Sequence, residues 1–143
     1  MYAALAALYQ KQQKSPQEIQ AVRVRKFDTM TKRRDAFAAL YRAPDYARFM
    51  SAYVRSAGDV ADYYVNQNNK AAAEAAYAQV FDKITVSTTY LKSDELDNYL
   101  TNLEKYQALL RENKNAAKAA KWDDTVKEGR ALQKELENRN DNP

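Results

Sequence analysis

Residues 44–64 read PDYARFMSAYVRSAGDVADYY, and the fold is decided there. Tyr46, Phe49, Met50, Tyr53, Ala57, Val60, Ala61 and Tyr64 recur at spacings of three and four, which aligns them on one face of an α-helix. A strand would need alternation at every second residue, which this stretch lacks. Ala43-Pro44 separates the helix from what precedes it, because the residue before a proline is pushed out of the α region. Gly58 sits inside the stripe and predicts a close crossing by a neighbouring helix rather than a break. The polar run Asn66-Gln67-Asn68-Asn69 ends the segment.

The same period continues in both directions. Ala73, Ala76, Tyr77, Val80, Phe81 and Ile84 mark a second helix, after which the β-branched run 84–89 weakens helicity and supplies the longest connection. Ser93 is predicted to cap the next helix, with Asp94 and Glu95 in its first turn and Leu96, Leu100, Leu103, Tyr106 and Leu110 as its stripe. Asn113-Lys114-Asn115 turns the chain into a last helix that buries Ala119, Trp122, Val126, Gly129, Leu132 and Leu136, with 138–143 fraying. On the other side, Ser15-Pro16-Gln17-Glu18 reads as a capping box opening a helix that runs from 16 to about 42. Before it, Tyr2, Leu5, Leu8 and Tyr9 predict a short helix over 2–13, marginal unless docked. The expected fold class is therefore all-α: an N-terminal helix-turn-helix arm (1–43) followed by an antiparallel four-helix bundle (44–143). Short links favour antiparallel neighbours, and the rival is six helices in one bundle.

Composition restricts function. A chain of 143 residues supports one domain, and 2 Gly with 3 Pro are too few for the turns of a sandwich or barrel. With neither Cys nor His, disulfides, the usual zinc sites, Ser-His-Asp triads and Cys-His pairs are excluded. Asp94-Glu95-Asp97 and Asp123-Asp124 read as helix N-terminal dressing rather than a metal or acid–base site, and no Gly-rich loop is present to cradle a nucleotide. The expectation is no enzyme, no catalytic residue, no metal and no cofactor. The apolar stretch 1–9 lacks a basic leader and is far short of a membrane span, so a soluble, cytoplasmic protein is expected outside any assembly.

Charge is unevenly distributed. Residues 1–56 hold eleven Lys/Arg against four Asp/Glu, whereas 57–143 hold twelve against fifteen. On the 16–42 helix, Ile19, Val22, Phe27, Met30, Phe37, Leu40 and Tyr41 share a broad arc with Arg23, Lys26, Arg33 and Arg34, while Glu18, Asp28 and Asp35 fall opposite. An ordinary core-facing helix keeps its charges away from its apolar stripe. One explanation is snorkelling from a core edge; the other is a phosphate-contacting surface, which needs spaced cations and no sequence code. Arg25 and Lys32 on the far side of the helix suit a polyanion better than a flat anionic membrane. Of the 11 tyrosines, Tyr46, Tyr53, Tyr64, Tyr77 and Tyr106 are expected in the core or at its edge, and Tyr2, Tyr9, Tyr41, Tyr63, Tyr90 and Tyr99 are less clearly buried, where the side chain suits interfaces.

This layout resembles the major coat proteins of filamentous and rod-shaped archaeal viruses, the rudivirus, lipothrixvirus and tristromavirus group. The likeness is one of architecture, a basic helical arm followed by a bundle, and carries no shared signature string. It implies that the arm wraps double-stranded DNA held in A form while the bundles pack into a helical shell. The implied nucleic-acid-binding residues are Lys11, Lys14, Arg23, Arg25, Lys26, Lys32, Arg33, Arg34 and Arg42. The implied partners are double-stranded DNA, further copies or a paralogous coat subunit and, optionally, an outer lipid envelope; the implied location is the virion. The alternative is a small helical adaptor or regulatory protein that binds an acidic protein partner through the 16–42 helix.

Overall fold

The computed structural model describes residues 4, 5, 8, 15–38, 44–84 and 91–141, except for the side chains of 37, 38, 44, 45, 140 and 141. Among these the chain is all-helical, with no strand. The helices are α1 (Pro16–Ala38), α2 (Pro44–Asn66), α3 (Lys70–Phe81), α4 (Ser93–Glu112), the single short turn α5 (Ala116–Ala120) and α6 (Asp123–Asp141). Of the 2–13 helix only Ala4, Leu5 and Leu8 are described, all helical; the rest of that expectation, the end of the 16–42 helix beyond Ala38 and the connection 85–90 lie outside the described residues.

Local chemistry sets the boundaries. Ser15 Oγ accepts the amide of Glu18 at 3.2 Å, as the capping box requires. Asn69 and Asn115 do the same for α3 and α5, accepting from Ala72 at 3.1 Å and Lys118 at 3.3 Å. The two links are closed by Asn68 and Lys114 in the left-handed region, at φ 56° and 64°. That conformation carries a modest cost for any side chain other than glycine. At α4 the expectation needs correction. Ser93 is the first helical residue, Lys92 takes the cap position, and Glu95 reaches back to accept the Lys92 amide at 3.3 Å. The carboxylate satisfies the amide of the cap residue itself, a different donor from the first-turn amides that a Ser93 hydroxyl would have accepted.

Three helices, α2, α3 and α4, pack on one another; α1 packs on α2, and α5 and α6 pack on α4. The stripes read from the sequence form this core. Tyr46, Phe49, Met50, Tyr53, Ala57, Val60 and Ala61 are buried on α2, as are Ala73, Ala76, Tyr77, Val80 and Phe81 on α3 and Leu96, Leu100, Leu103, Tyr106 and Leu110 on α4. Tyr99, whose burial the sequence left less clear, is also buried, with its ring edge-on to Phe81 at 5.5 Å. The last helix is interrupted where one continuous run was expected, between Ala120 and Asp123. Buried Gln107 accounts for the break. Its Nε2 donates to the Ala119 carbonyl at 3.0 Å and to Asp123 Oδ1 at 2.8 Å, so one amide serves the end of α5 and the start of α6. No helix among the described residues is long and apolar enough to cross a membrane.

Candidate phosphate-binding surface

The basic residues of α1 divide into three groups according to what each side chain meets. The helix is anchored through Phe27, whose ring stacks on Tyr53 with centroids 5.4 Å apart, and through Thr31 Oγ1, which shares a 2.8 Å hydrogen bond with the Tyr53 hydroxyl. Val24 and Met30 pack against the same core, and Val22 is buried. This packing directs the remaining positions.

Arg34 lies four and seven residues past Met30 and Phe27 and is turned inward, its side chain 14% exposed. Its Nη1 donates to the Gln79 carbonyl at 2.9 Å and to Gln79 Oε1 at 3.0 Å, and its Nε to Asp35 Oδ1 at 3.3 Å. Gln79 is in the last turn of α3, where main-chain carbonyls lack helical partners, so the guanidinium completes the end of α3 from a different helix. Arg34→Ala is expected to cost about 1–2 kcal/mol by leaving that carbonyl with only the long 3.4 Å bond from the Tyr53 hydroxyl, measured by urea unfolding, with little change in affinity for any polyanion.

Arg23 and Lys26 are half-buried on the side facing α2. Desolvation there raises the Asp59 carboxyl, while the charges of Arg23, Lys26 and Arg55 pull it back and Asp62 adds to the rise. Arg23 and Lys26 thus lend part of their field to an acid of the same chain.

Arg25, Lys32 and Arg33 form the third group. They are exposed, and their side chains make no ion pair or hydrogen bond with a described residue. Arg25 and Lys32 are seven residues apart, so they sit about 10 Å apart on one stripe, two turns along. Asp28 and Asp35 share that exposed side. Lys11, Lys14 and Arg42 lie outside the described residues.

Arginines in the second part of the chain are used differently. Arg130 bridges Asp97 at 2.9 Å and Glu104 at 2.6 Å, Arg111 meets Asp123 at 3.3 Å, and Arg139 meets Glu135 at 2.6 Å. The Arg130 fork also takes Gln133 and Thr101, clamping α6 to α4, and together with Gln133 it lowers the Asp97 carboxyl. Among the described residues, the arginines without an ion pair thus cluster on α1, with Arg55 of α2 beside them.

Elsewhere the surface offers little chemistry. An open cleft of about 240 Å³ between α1, α2 and α3 is lined by Val24, Phe27, Val60, Tyr64 and Ala76, with Asp28 and Gln79 also on its wall. Among the described residues no group of His, Cys, Asp and Glu could hold a metal ion. Compared with known proteins, the chain matches no family model, no curated protein and no solved structure.

Proposed function

We propose that this chain is a structural nucleoprotein, a viral coat protein, that binds double-stranded DNA through its phosphates without sequence preference and assembles with further copies into a helical filament. In this reading residues 1–43 are the DNA-facing arm, with α1 as its docked part, and 44–143 form the bundle that packs between copies. The supporting observation is the bare cationic stripe of α1: Arg25 and Lys32, with Arg33 at its edge, have no partner among the described residues, whereas the arginines beyond residue 56 are all paired. Arginine suits phosphate because its rigid fork offers paired donors and is weakly hydrated. Affinity would come from release of counterions along the duplex.

The test is binding of two short duplexes of unrelated sequence, followed by fluorescence anisotropy across a salt series. Both should bind alike and lose affinity steeply with salt. Arg25→Ala combined with Lys32→Ala should weaken both equally and flatten the plot of log affinity against log salt by about two. Absence of binding at low salt removes the reading.

A second reading is favoured by one observation, the presence of Asp28 and Asp35 on the same exposed side as Arg25 and Lys32. A mixed-sign face suits a protein surface better than a phosphate rail. The chain would then be a helical adaptor docking through α1 onto a partner rich in acidic side chains, forming no filaments and showing no salt-dependent affinity for DNA.

A further inference from the structure

Two helices of this chain carry one spacing with opposite charge. On α1 it is Lys26, Met30 and Arg33; on α6 it is Glu128, Leu132 and Glu135. Positions i, i+4 and i+7 lie on one helical face, so each stripe presents two like charges about 10 Å apart with an apolar side chain between them. Met30 and Leu132 are both half-buried, packed on the core along one flank and open along the other. Arg33 and Glu128 are exposed, and Lys26, Arg33 and Glu128 make no ion pair among the described residues. Glu135 pairs with Arg139 at 2.6 Å, but the two side chains are 57% and 70% exposed, and such a surface pair exchanges at little cost. The helices do not pack extensively on each other: α1 lies on α2, and α6 lies on α4.

We propose that the acidic stripe of α6 docks on the basic stripe of α1 in a second copy of this chain. Glu128 and Glu135 pair with Lys26 and Arg33, and Leu132 meets Met30. Because the two surfaces differ, the contact is head-to-tail, and where its rotation does not close a ring it propagates into an open chain. The occupant follows from charge: the basic first part of one copy faces the acidic second part of the next. The inference rests on the assembly half of the function proposed above and names its contact, but it requires no nucleic acid. Arg25 and Lys32 remain free for phosphate.

The experiment is sedimentation velocity of the full chain without DNA. At low ionic strength the average mass should rise with protein concentration, and near-molar salt should return it to the monomer as the ion pairs are screened. Lys26→Glu with Arg33→Glu, and separately Glu128→Lys with Glu135→Lys, should each weaken association by roughly tenfold or more, since two attractions become two repulsions. An equimolar mixture of the two variants should reassociate, because each reversed stripe finds its match on the other variant. A monomeric wild-type chain at low salt overturns the proposal, as does a mixture that stays monomeric while both variants keep the wild-type far-ultraviolet dichroism. Should a double variant fail to fold, the partnered single changes Arg33→Glu and Glu135→Lys carry the same mixing comparison. Duplex binding of the Arg25/Lys32 variant is read independently, so loss of either result leaves the other standing.

Discussion

Tyr106→Ala is expected to destabilise the protein by about 3–5 kcal/mol, the range for removing a large aromatic from a core. The side chain is fully buried where α3, α4 and the α5–α6 break converge. Its ring stacks on Phe81 at 5.6 Å, meets Tyr77 at 5.9 Å and Trp122 at 5.3 Å, and its hydroxyl donates to Asp82 Oδ1 at 2.8 Å. Lys118 accompanies it, its ammonium bonded to Asp82 and lying 5.8 Å from the ring centroid. A domain of this size has about 5–15 kcal/mol in total, so the variant should unfold at much lower urea than the wild type. Tyr106→Phe separates the terms: it keeps the rings and drops only the hydroxyl bond, for about 1 kcal/mol. Burial raises this phenol to about 12, and Tyr99 also to about 12. Both are neutral in the fold, whereas in the unfolded chain they ionise near 10. Their contribution is therefore complete below pH 10 and is lost as pH rises from 10 towards 12.

Gly58→Ala should cost about 2–4 kcal/mol, overpacking combined with a disturbed polar ladder. A methyl group built on Gly58 would lie 2.3 Å from Asn102 Oδ1 and 3.2 Å from its Cγ. Asn102 cannot swing aside freely. Its Oδ1 accepts the Tyr77 hydroxyl at 3.1 Å, its Nδ2 donates to the Asn98 carbonyl at 2.9 Å, and Asn98 in turn donates to the Ser51 carbonyl at 3.2 Å. Moving Asn102 would leave the buried Tyr77 hydroxyl without an acceptor. Combined with Asn102→Ala, the glycine substitution should cost less than the two single changes added together, because the methyl then fills space that the amide vacated. Strict additivity in urea unfolding would show that the crossing at Gly58 is not set by this contact.

Much of the core was legible because helical periodicity is a property of the sequence alone. Leu96, Leu100, Leu103, Tyr106 and Leu110 were read as a stripe and are buried as one. Gly58 was legible as a close crossing because an isolated glycine in a helix otherwise only weakens it. What could not be read depends on partners distant in sequence. The break between α5 and α6 falls in Ala-Ala-Lys-Trp; Asp123-Asp124 carried a helix-start signal just after it, but the group that holds it, Gln107, comes from another helix. Tyr99 escaped because it lies beside the narrow stripe, where the ring of Phe81 widens the buried face. On α1 the mixture of bases and apolar residues was visible, but not which bases turn inward. Arg34 shares its spacing with Phe27 and Met30, yet it is the carbonyl and side chain of Gln79, on α3, that give it an inward destination. The candidate surface was thus legible as a region, and its division into structural and available cations was not.

The single tryptophan has an experimental consequence. Trp122 is half-buried at the α5–α6 break, with its indole 5.3 Å from the Tyr106 ring, which lies in turn 5.9 Å from Tyr77 and 5.6 Å from Phe81. Light absorbed by the Tyr106 and Tyr77 phenols is expected to pass to the indole by resonance transfer, so the folded chain should emit as tryptophan despite its 11 tyrosines. Unfolding should separate the donors from the acceptor and restore phenolic emission, an optical gauge of whether α4 still holds the turn between α5 and α6.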